Sequence, residues 1–287
     1  MALSSAATPG ERVRRRLGSV VLLAVTVVFF FPYLWMLASS LKPTADVFKY
    51  GFPLSWKTFL PPEPTLANYA TIFSEFGFGR NLLNSLIVVV CQVVLTIVVC
   101  AGAGFVFGRY RFRGSRVLFA LVMVASFIPF EVVMVPMYVV TRELRLTDTY
   151  AGLFLPWVAN AIGIFLIRQS VQEIPRSLDE AAAIDGASTW RTFVQIILPN
   201  LRPALLTVGL ISAVAGWNQF LWPLIAVQDP NKQVVQVAIA TFTDPGQLPT
   251  WGELFAAASV AAVPLLVVFL FLQRYYIRGV VTSGMKG

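Results

Sequence analysis

The stretch LLNSLIVVVCQVVLTIVVCAGAGFVF, residues 82–107, decides the fold class of this chain. It contains no charged side chain, and one helical crossing of a bilayer needs about 20 consecutive apolar residues. A helix suits such a segment because its backbone N–H and C=O groups are then satisfied within the segment itself, without water. The sequence therefore predicts a transmembrane helix here and five more along the chain. The six predicted spans are residues 17–41, 82–107, 117–140, 150–167, 203–227 and 254–272.

The composition of the whole chain supports the same fold class. Hydrophobic residues make up 57% and charged residues 13% of the 287 residues, with a mean hydropathy of +0.74. A soluble domain would carry roughly a quarter charged residues. We therefore predict an all-α integral membrane protein with six transmembrane helices, whose surface contacts membrane lipid.

The basic residues predict the orientation of the spans. When loops are assigned alternately to the two sides, 15 of the 22 Lys and Arg residues fall on one side and 7 on the other. Basic residues favour the cytoplasm, so both termini are predicted to be cytoplasmic. The net charge of +8 is thus a topology signal, and we predict no nucleic-acid partner. The first apolar run is longer than the core of a signal peptide, so it is interpreted as the first span.

These assignments predict one membrane domain with two short tails. Residues 1–16 form a cytoplasmic N-terminal tail, and 17–41 form the first transmembrane helix, followed by an outer segment at 42–80. A core of five helices at 81–273 includes an inner loop at 168–202 and an outer loop at 228–253. Residues 274–287 form a cytoplasmic C-terminal tail.

The second span contains small residues and both cysteines of the chain. Gly102, Gly104 and Gly108 have a spacing that favours close packing against another helix. Cys91 and Cys100 are interpreted as small core side chains. Because the chain has no histidine, we predict neither a metal site nor a Cys/His catalytic site.

The inner loop has the pattern of two short amphipathic helices. Ser177 to Glu180 has the form of a capping box at the start of the first helix. Gly186 stands where a left-handed helix end requires glycine. A second helix is predicted from Ser188 to Pro199, with one buried face formed by Trp190, Phe193, Val194 and Ile197. Such a segment is a rigid lever that could pass the motion of a partner into the bilayer.

The same loop resembles a family motif. The matching residues, at the family's spacing, are Glu180, Ala181, Ala182, Gly186, Ile196, Leu198 and Pro199. This pattern resembles the EAA loop of the permeases of bacterial ABC importers. The resemblance implies the type I ABC importer permease fold. It also implies that the ATPase is contacted by Glu180, Ala181, Ala182, Asp185, Gly186, Leu198 and Pro199.

Other stretches resemble the carbohydrate-uptake branch of these permeases, and within it the subunit type of the maltose permease G protein. They lie at residues 32–36, 146–153, 216–224 and 284–287. The resemblance implies a heterodimer with a second permease, two cytoplasmic ABC ATPase subunits that bind ATP and Mg, and an extracellular or periplasmic solute-binding protein that meets the loop at 228–253. It also implies a multi-pass protein of the prokaryotic cytoplasmic (inner) membrane.

The chain lacks the sequence that binds nucleotide in P-loop proteins. Gly-x-x-x-x-Gly-Lys-Ser/Thr, whose backbone cradles phosphates, occurs nowhere in it. We therefore predict a transport subunit that is not an enzyme and holds no cofactor of its own.

Two groups of residues are predicted to line the substrate pathway. Glu131, between Pro129 and Pro136, is the one ionisable residue well inside a predicted span, where charge is costly and favours a functional role. The alternative is a structural carboxylate bonded to a neighbouring helix. The second group pairs amides with aromatic rings, as sugar hydroxyls and C–H faces require. It comprises Trp217, Asn218, Gln219 and Trp222. The alternative places Trp222 at the membrane interface and Asn218 between helices.

The sequence leaves alternative functions open. An ion- or proton-coupled secondary transporter would explain six spans and Glu131, although half-repeats are not evident. Within the importer hypothesis, a glycerol-3-phosphate-like polyol phosphate is the alternative substrate. A neutral sugar is favoured because no Arg or Lys lies inside the predicted spans.

Overall fold

The computed structural model describes the backbone of residues 9–49, 55–243 and 250–283, and the side chains of 17–49, 55–243 and 250–271. Within these ranges every regular element is helical, which confirms the all-α class. The α-helices are α1 Pro9–Ser40, α2 Ala67–Ser74, α3 Phe78–Arg109, α4 Ser115–Ala125, α5 Phe130–Glu143, α6 Tyr150–Phe154, α7 Ala161–Glu173, α8 Ser177–Ile184, α9 Thr189–Thr192, α10 Leu198–Asn200, α11 Arg202–Trp217, α12 Leu221–Ala226, α13 Val235–Thr241 and α14 Trp251–Ser283. Short 3₁₀ turns cover Thr44–Asp46, Trp56–Thr58, Leu155–Trp157 and Pro230–Lys232, and a π-helical turn covers Phe193–Ile197.

Three of the described helices are long and apolar enough to cross a membrane by themselves. They are Leu17–Ser40, Phe78–Arg109 and Trp251–Phe271, and they correspond to the predicted first, second and sixth spans. Three pairs of shorter helices pass the same test together, so the described residues contain up to six crossings. The predicted number of spans agrees with this upper value.

The prediction that the third, fourth and fifth spans are continuous is wrong. Ser115–Ala125 and Phe130–Glu143 are bent by 104° at the break before Pro129, whose missing N–H cannot continue a helix. Tyr150–Trp157 and Ala161–Glu173 are bent by 49°. The third bent pair, Thr189–Asn200 and Arg202–Trp217 at 76°, breaks at residue 201, in the inner loop and before the predicted fifth span begins. The predicted fifth span also divides into α11 and α12. An apolar run predicts the length of a crossing but not its continuity, which is why these breaks were missed.

The chain divides into two compact units, residues 1–77 with 242–262 and residues 78–241 with 263–287. In the first unit, buried polar groups tie the outer segment to the end of α1. The Lys42 Nζ donates to the Thr58 carbonyl at 2.9 Å. The Asn68 amide donates to the carbonyls of Ser40 and Lys42 at 2.8 and 2.7 Å. The Thr44 hydroxyl donates to Glu253 at 2.8 Å, which joins this segment to α14.

In the second unit, glycines bring α3 and α7 into close contact. A Cβ at Gly104 would lie 2.6 Å from Ile167 Cγ2, and one at Gly108 would lie 2.7 Å from Val171 Cγ1. No other described neighbour would lie within 4 Å of a Cβ at Gly102. The predicted close helix packing is therefore made at Gly104 and Gly108, within the chain itself.

The main apolar core of the second unit lies around this contact. It joins α3 and α7 to the segment between α9 and α11. Its buried members are Cys100, Ala101, Phe105, Ile164, Ile167, Val171, Phe193, Ile197, Leu201 and Val208. The inner loop is therefore packed into the membrane helices and is not a flexible connection.

Candidate functional site

Helix α8 ends in a compact hydrogen-bonded cap. The Ala187 N–H donates to the Ala182 carbonyl at 2.9 Å, and the Gly186 N–H donates to the Ala183 carbonyl at 3.1 Å. This pair of bonds is a Schellman motif, which needs a left-handed residue at its centre. Gly186 has φ +73°, so its predicted backbone conformation is confirmed.

The start of α8 differs from the prediction. Ser177 is the first helical residue, and Arg176 occupies the N-cap position with helical φ and ψ. The Glu180 N–H donates to the Arg176 carbonyl at 3.1 Å. The capping-box prediction is therefore wrong, because a serine caps a helix only from an extended backbone just before it.

The second helix begins as predicted. The Ser188 hydroxyl accepts a hydrogen bond from the Arg191 N–H at 3.3 Å and caps α9. The predicted end is wrong, since Pro199 does not close the helix. It lies in the first turn of α10, where its missing N–H costs no hydrogen bond, and the helix continues to Asn200.

A π-helical turn changes which side chains this helix buries. Phe193 and Ile197 are 8% and 0% exposed, as predicted, whereas Trp190 and Val194 are 71% and 38% exposed. The buried face was predicted with a period of 3.6 residues, but the π turn at Phe193–Ile197 has i→i+5 hydrogen bonds and shifts the register at Val194. Trp190 precedes this turn; its ring contacts Phe193, and most of its side chain is exposed. The prediction is therefore wrong for Trp190 and Val194.

The two short helices carry three large apolar side chains that are exposed among the described residues. Ile184 is 87% exposed, Trp190 is 71% exposed and Leu178 is 40% exposed. Of the three EAA-motif residues, Ala182 is buried and attaches α8 to the protein, while Glu180 and Ala181 are exposed. Exposed apolar side chains in such a group indicate a surface for a partner. We call Leu178, Ile184 and Trp190 the apolar cap.

The apolar cap is connected to α3 by two contacts. Its Trp190 ring lies 5.6 Å from Phe193, whose ring centroid lies 4.7 Å from that of Phe105 in α3. Arg109, the last residue of α3, has its Nε 3.1 Å from Asp179 Oδ2 in α8. Displacement of α8 would therefore be transmitted to the end of a membrane-spanning helix. The sequence analysis missed this ion pair, although Arg109 ends a span and Asp179 precedes Glu180.

Glu131 lies next to a helix break and not inside a continuous span. It occupies the first turn of α5, two residues after Pro129, and its side chain is exposed. The N-terminal end of a helix stabilises a nearby carboxylate through the helix dipole. This position resembles the ends of broken helices that bind substrates within membrane transporters.

The four predicted pathway residues of the fifth span are two packed tryptophans and two amide residues at the end of α11. Trp222 is 1% exposed and its Nε1 donates to the Gly152 carbonyl at 3.0 Å, while Trp217 is 5% exposed. Both rings are therefore packed within the protein. Asn218 is exposed at the C-terminal end of α11, with its Nδ2 bonded to the Val214 carbonyl at 2.8 Å. Gln219 follows in the break before α12, and its buried Oε1 has no hydrogen-bond partner among the described residues.

The beginning of the predicted outer loop is held by side chains that the sequence analysis did not single out. Asp148 accepts hydrogen bonds from the N–H groups of Gln228 and Asp229 at 2.6 and 2.9 Å. The Asn84 amide of α3 donates to the carbonyls of Asn231 and Gln233, both at 2.9 Å. These hydrogen bonds hold the start of this loop against α3 and Asp148.

Several known proteins resemble this chain in sequence. A family model described as "Binding-protein-dependent transport system inner membrane component" matches residues 100–282. The chain is 31% identical to the arabinooligosaccharides transport system permease protein AraQ of Halalkalibacterium halodurans, over 92% of this chain and 93% of that protein. It is 34% identical to the sn-glycerol-3-phosphate transport system permease protein UgpE of Salmonella choleraesuis, over 92% of this chain and 95% of that one.

A solved structure shares the fold. It is the crystal structure of a bacterial ABC transporter involved in the import of the acidic polysaccharide alginate. One of its chains matches with a TM-score of 0.83 and 21% sequence identity, covering 95% of this chain and 100% of that one.

Proposed function

The chain belongs to the family of binding-protein-dependent transport system inner membrane components, and from this membership we propose that it is one half of the translocation pathway of a sugar importer driven by a separate ATPase. It is a multi-pass membrane permease subunit. In the proposed assembly it pairs with a second permease, and two cytoplasmic ATPase subunits bind ATP and Mg. Both termini are cytoplasmic, in the inner membrane of a prokaryote.

The apolar cap is the observation that carries the proposed coupling to an ATPase. Its three side chains lie on short helices that are fixed to the membrane core, so docking there would be converted into displacement of α3. Four exposed residues lie close in sequence to the apolar cap and would contact the same partner: Glu180, Ala181, Asp185 and Gly186. Ala182 is buried and Leu198 is half-buried, so both would hold the two helices in place, whereas Pro199 is exposed.

Sugar is the proposed substrate class. The relative AraQ is, by its name, part of an arabinooligosaccharide transport system, while the relative UgpE keeps glycerol-3-phosphate as the alternative substrate. Asn218 and Gln219, at the break after α11, offer amide groups to sugar hydroxyls, and Glu131 lies at the break before α5. Because Trp217 and Trp222 are packed inside the protein, we propose that they position this break and do not contact the substrate.

The outer loop supplies the proposed contact with the solute-binding protein. Residues 228–235 are fixed to α3 and to Asp148 by the hydrogen bonds described above. A fixed loop would lose little conformational entropy on docking, which favours binding. We propose that the whole loop at 228–253 meets the loaded binding protein, although residues 244–249 lie outside the described residues.

Reconstitution of the complete complex in proteoliposomes tests the coupling. Gly186→Ala forces a side chain into a left-handed conformation, which costs about 1–2 kcal/mol, and Glu180→Ala changes the exposed surface. We expect both variants to fold and to lose sugar uptake. ATP hydrolysis should continue in them, so that it is no longer coupled to uptake. Gly77→Ala is the matched control, since Gly77 has φ +62° and equally open surroundings. Uptake at the wild-type rate in both test variants would contradict the coupling assignment.

A further inference from the structure

A small cavity lies between the end of α3 and residues 176–192, which contain α8 and α9 and are called here the coupling segment. Its volume is about 250 Å³, and aromatic and small side chains form its apolar wall. The polar residues that line it are Arg109, Tyr110, Arg176, Asp179, Thr189 and Thr192. The proposed transport function assigns no ligand to this cavity.

Arg109 has unused hydrogen-bonding capacity in this cavity. Its side chain is 7% exposed, and its Nε lies 3.1 Å from Asp179 Oδ2. This contact is an ion pair and is not counted among the hydrogen bonds of the described residues. Nε and Nη2 are both buried, and neither has a hydrogen-bond partner among the described residues. Buried donors without hydrogen bonds are costly even when the charge is paired, so the cavity favours a ligand that accepts hydrogen bonds.

The charge of the lining also favours an anion. The lining residues include two arginines, Arg109 and Arg176, against one carboxylate, that of Asp179, and Tyr110 and Thr189 carry hydroxyl groups. A guanidinium group can donate two parallel, charge-assisted hydrogen bonds to two oxygens of one phosphate. We propose that this cavity binds a phosphate group.

The phosphate could come from an anionic lipid headgroup or from a soluble phosphate. Phe105 forms part of the wall and belongs to a membrane-spanning helix, so a lipid headgroup at the membrane surface could reach the cavity. Basic pockets between transmembrane helices commonly hold such headgroups. In either case the ligand would join Arg109 at the end of α3 to Arg176 at the start of α8, and would hold the coupling segment against the membrane core.

Binding to the purified full-length chain in neutral detergent tests this proposal. Native mass spectrometry would count retained phosphatidylglycerol, with diacylglycerol, which has no phosphate, as the neutral lipid. Thermal melting would compare inorganic phosphate with chloride at equal ionic strength. The variants are Arg109→Gln and Arg176→Gln, of which the second leaves the contact between Arg109 and Asp179 in place. Arg116→Gln is the control, because Arg116 is an exposed arginine of α4 that does not line the cavity.

We expect wild-type protein to bind at least one phosphate probe, and each cavity variant to bind it about tenfold more weakly, which is about 1.4 kcal/mol. Arg116→Gln should bind both probes like the wild type, because Arg116 does not line the cavity. Retention of phosphatidylglycerol without a phosphate-induced shift would identify a lipid site, and the reverse a soluble phosphate; both support the proposal.

Two outcomes would overturn the proposal. In one, the wild type binds neither probe better than its neutral or chloride control. In the other, Arg116→Gln weakens binding as much as the cavity variants do. Because both probes are tested on the chain alone, the result does not depend on the proposed sugar import.

Discussion

Replacing Ile184 by alanine tests whether the apolar cap binds the ATPase. The side chain is 87% exposed, so the permease itself gains almost nothing from it and should fold equally well without it. If the ATPase buries this side chain, the variant loses three carbon atoms of buried surface at about 0.8 kcal/mol each, or about 2.4 kcal/mol. Since about 1.4 kcal/mol is a tenfold change, the affinity for the ATPase should fall about fiftyfold.

The assay is titration of purified ATPase onto the permease in nanodiscs, with the melting temperature of the permease measured in parallel. Leu144→Ala is the matched control, because Leu144 is 63% exposed but lies at the far end of α5. We expect Ile184→Ala alone to weaken binding, and neither variant to melt earlier. Equal affinities for wild type and Ile184→Ala would refute the reasoning, and so would equal losses in the two variants.

Three other substitutions test separate parts of the account. Gly104→Ala places a Cβ 2.6 Å from Ile167 Cγ2, so overpacking should lower stability by about 1–3 kcal/mol, while Gly102→Ala should melt like wild type. Burial lowers the pKa of Lys42 below 10.5, so below that pH the unfolded chain binds more protons than the folded one. Stability should therefore rise with pH as 10.5 is approached from below, and Lys42→Met should remove this part of the dependence in thermal melts; the same slope in both proteins would contradict the burial of the charge. Glu131→Gln should change the kinetics of uptake by about tenfold if the carboxylate contacts substrate, since a hydrogen bond to a charged group contributes about 1.5–3 kcal/mol, whereas unchanged kinetics would leave it a structural carboxylate.

The sequence predicts the helical crossings better than their shape. Residues 82–107 lie within α3, because an uncharged apolar run of that length has one favourable conformation in lipid. The breaks beside Pro129 and Asn160 were not predicted. They depend on local bonds, such as the one from the Gly163 N–H to Asn160 Oδ1 at 2.7 Å, which an average over apolar residues does not detect.

In the coupling segment, too, the sequence predicts some features and not others. Gly186 could be predicted because a left-handed residue at a helix end strongly favours glycine. Exposure of Val194 could not, because it lies within the π turn at Phe193–Ile197, whose i→i+5 bonds leave no periodic pattern in five residues. Trp190 precedes that turn and is exposed although its ring contacts Phe193. The ion pair of Arg109 with Asp179 joins residues about 70 positions apart in the sequence, and only the packing of α3 against the loop brings them together.

Purification of the intact chain from its native membrane in mild detergent, with the co-purifying proteins identified by mass, tests the central claim most directly. We predict a P-loop ATPase, a second multi-span permease and a solute-binding protein, and the last of these can be screened for its sugar. Recovery of the chain alone, or only as a homo-oligomer, would contradict the assignment of this permease to an ATP-driven importer.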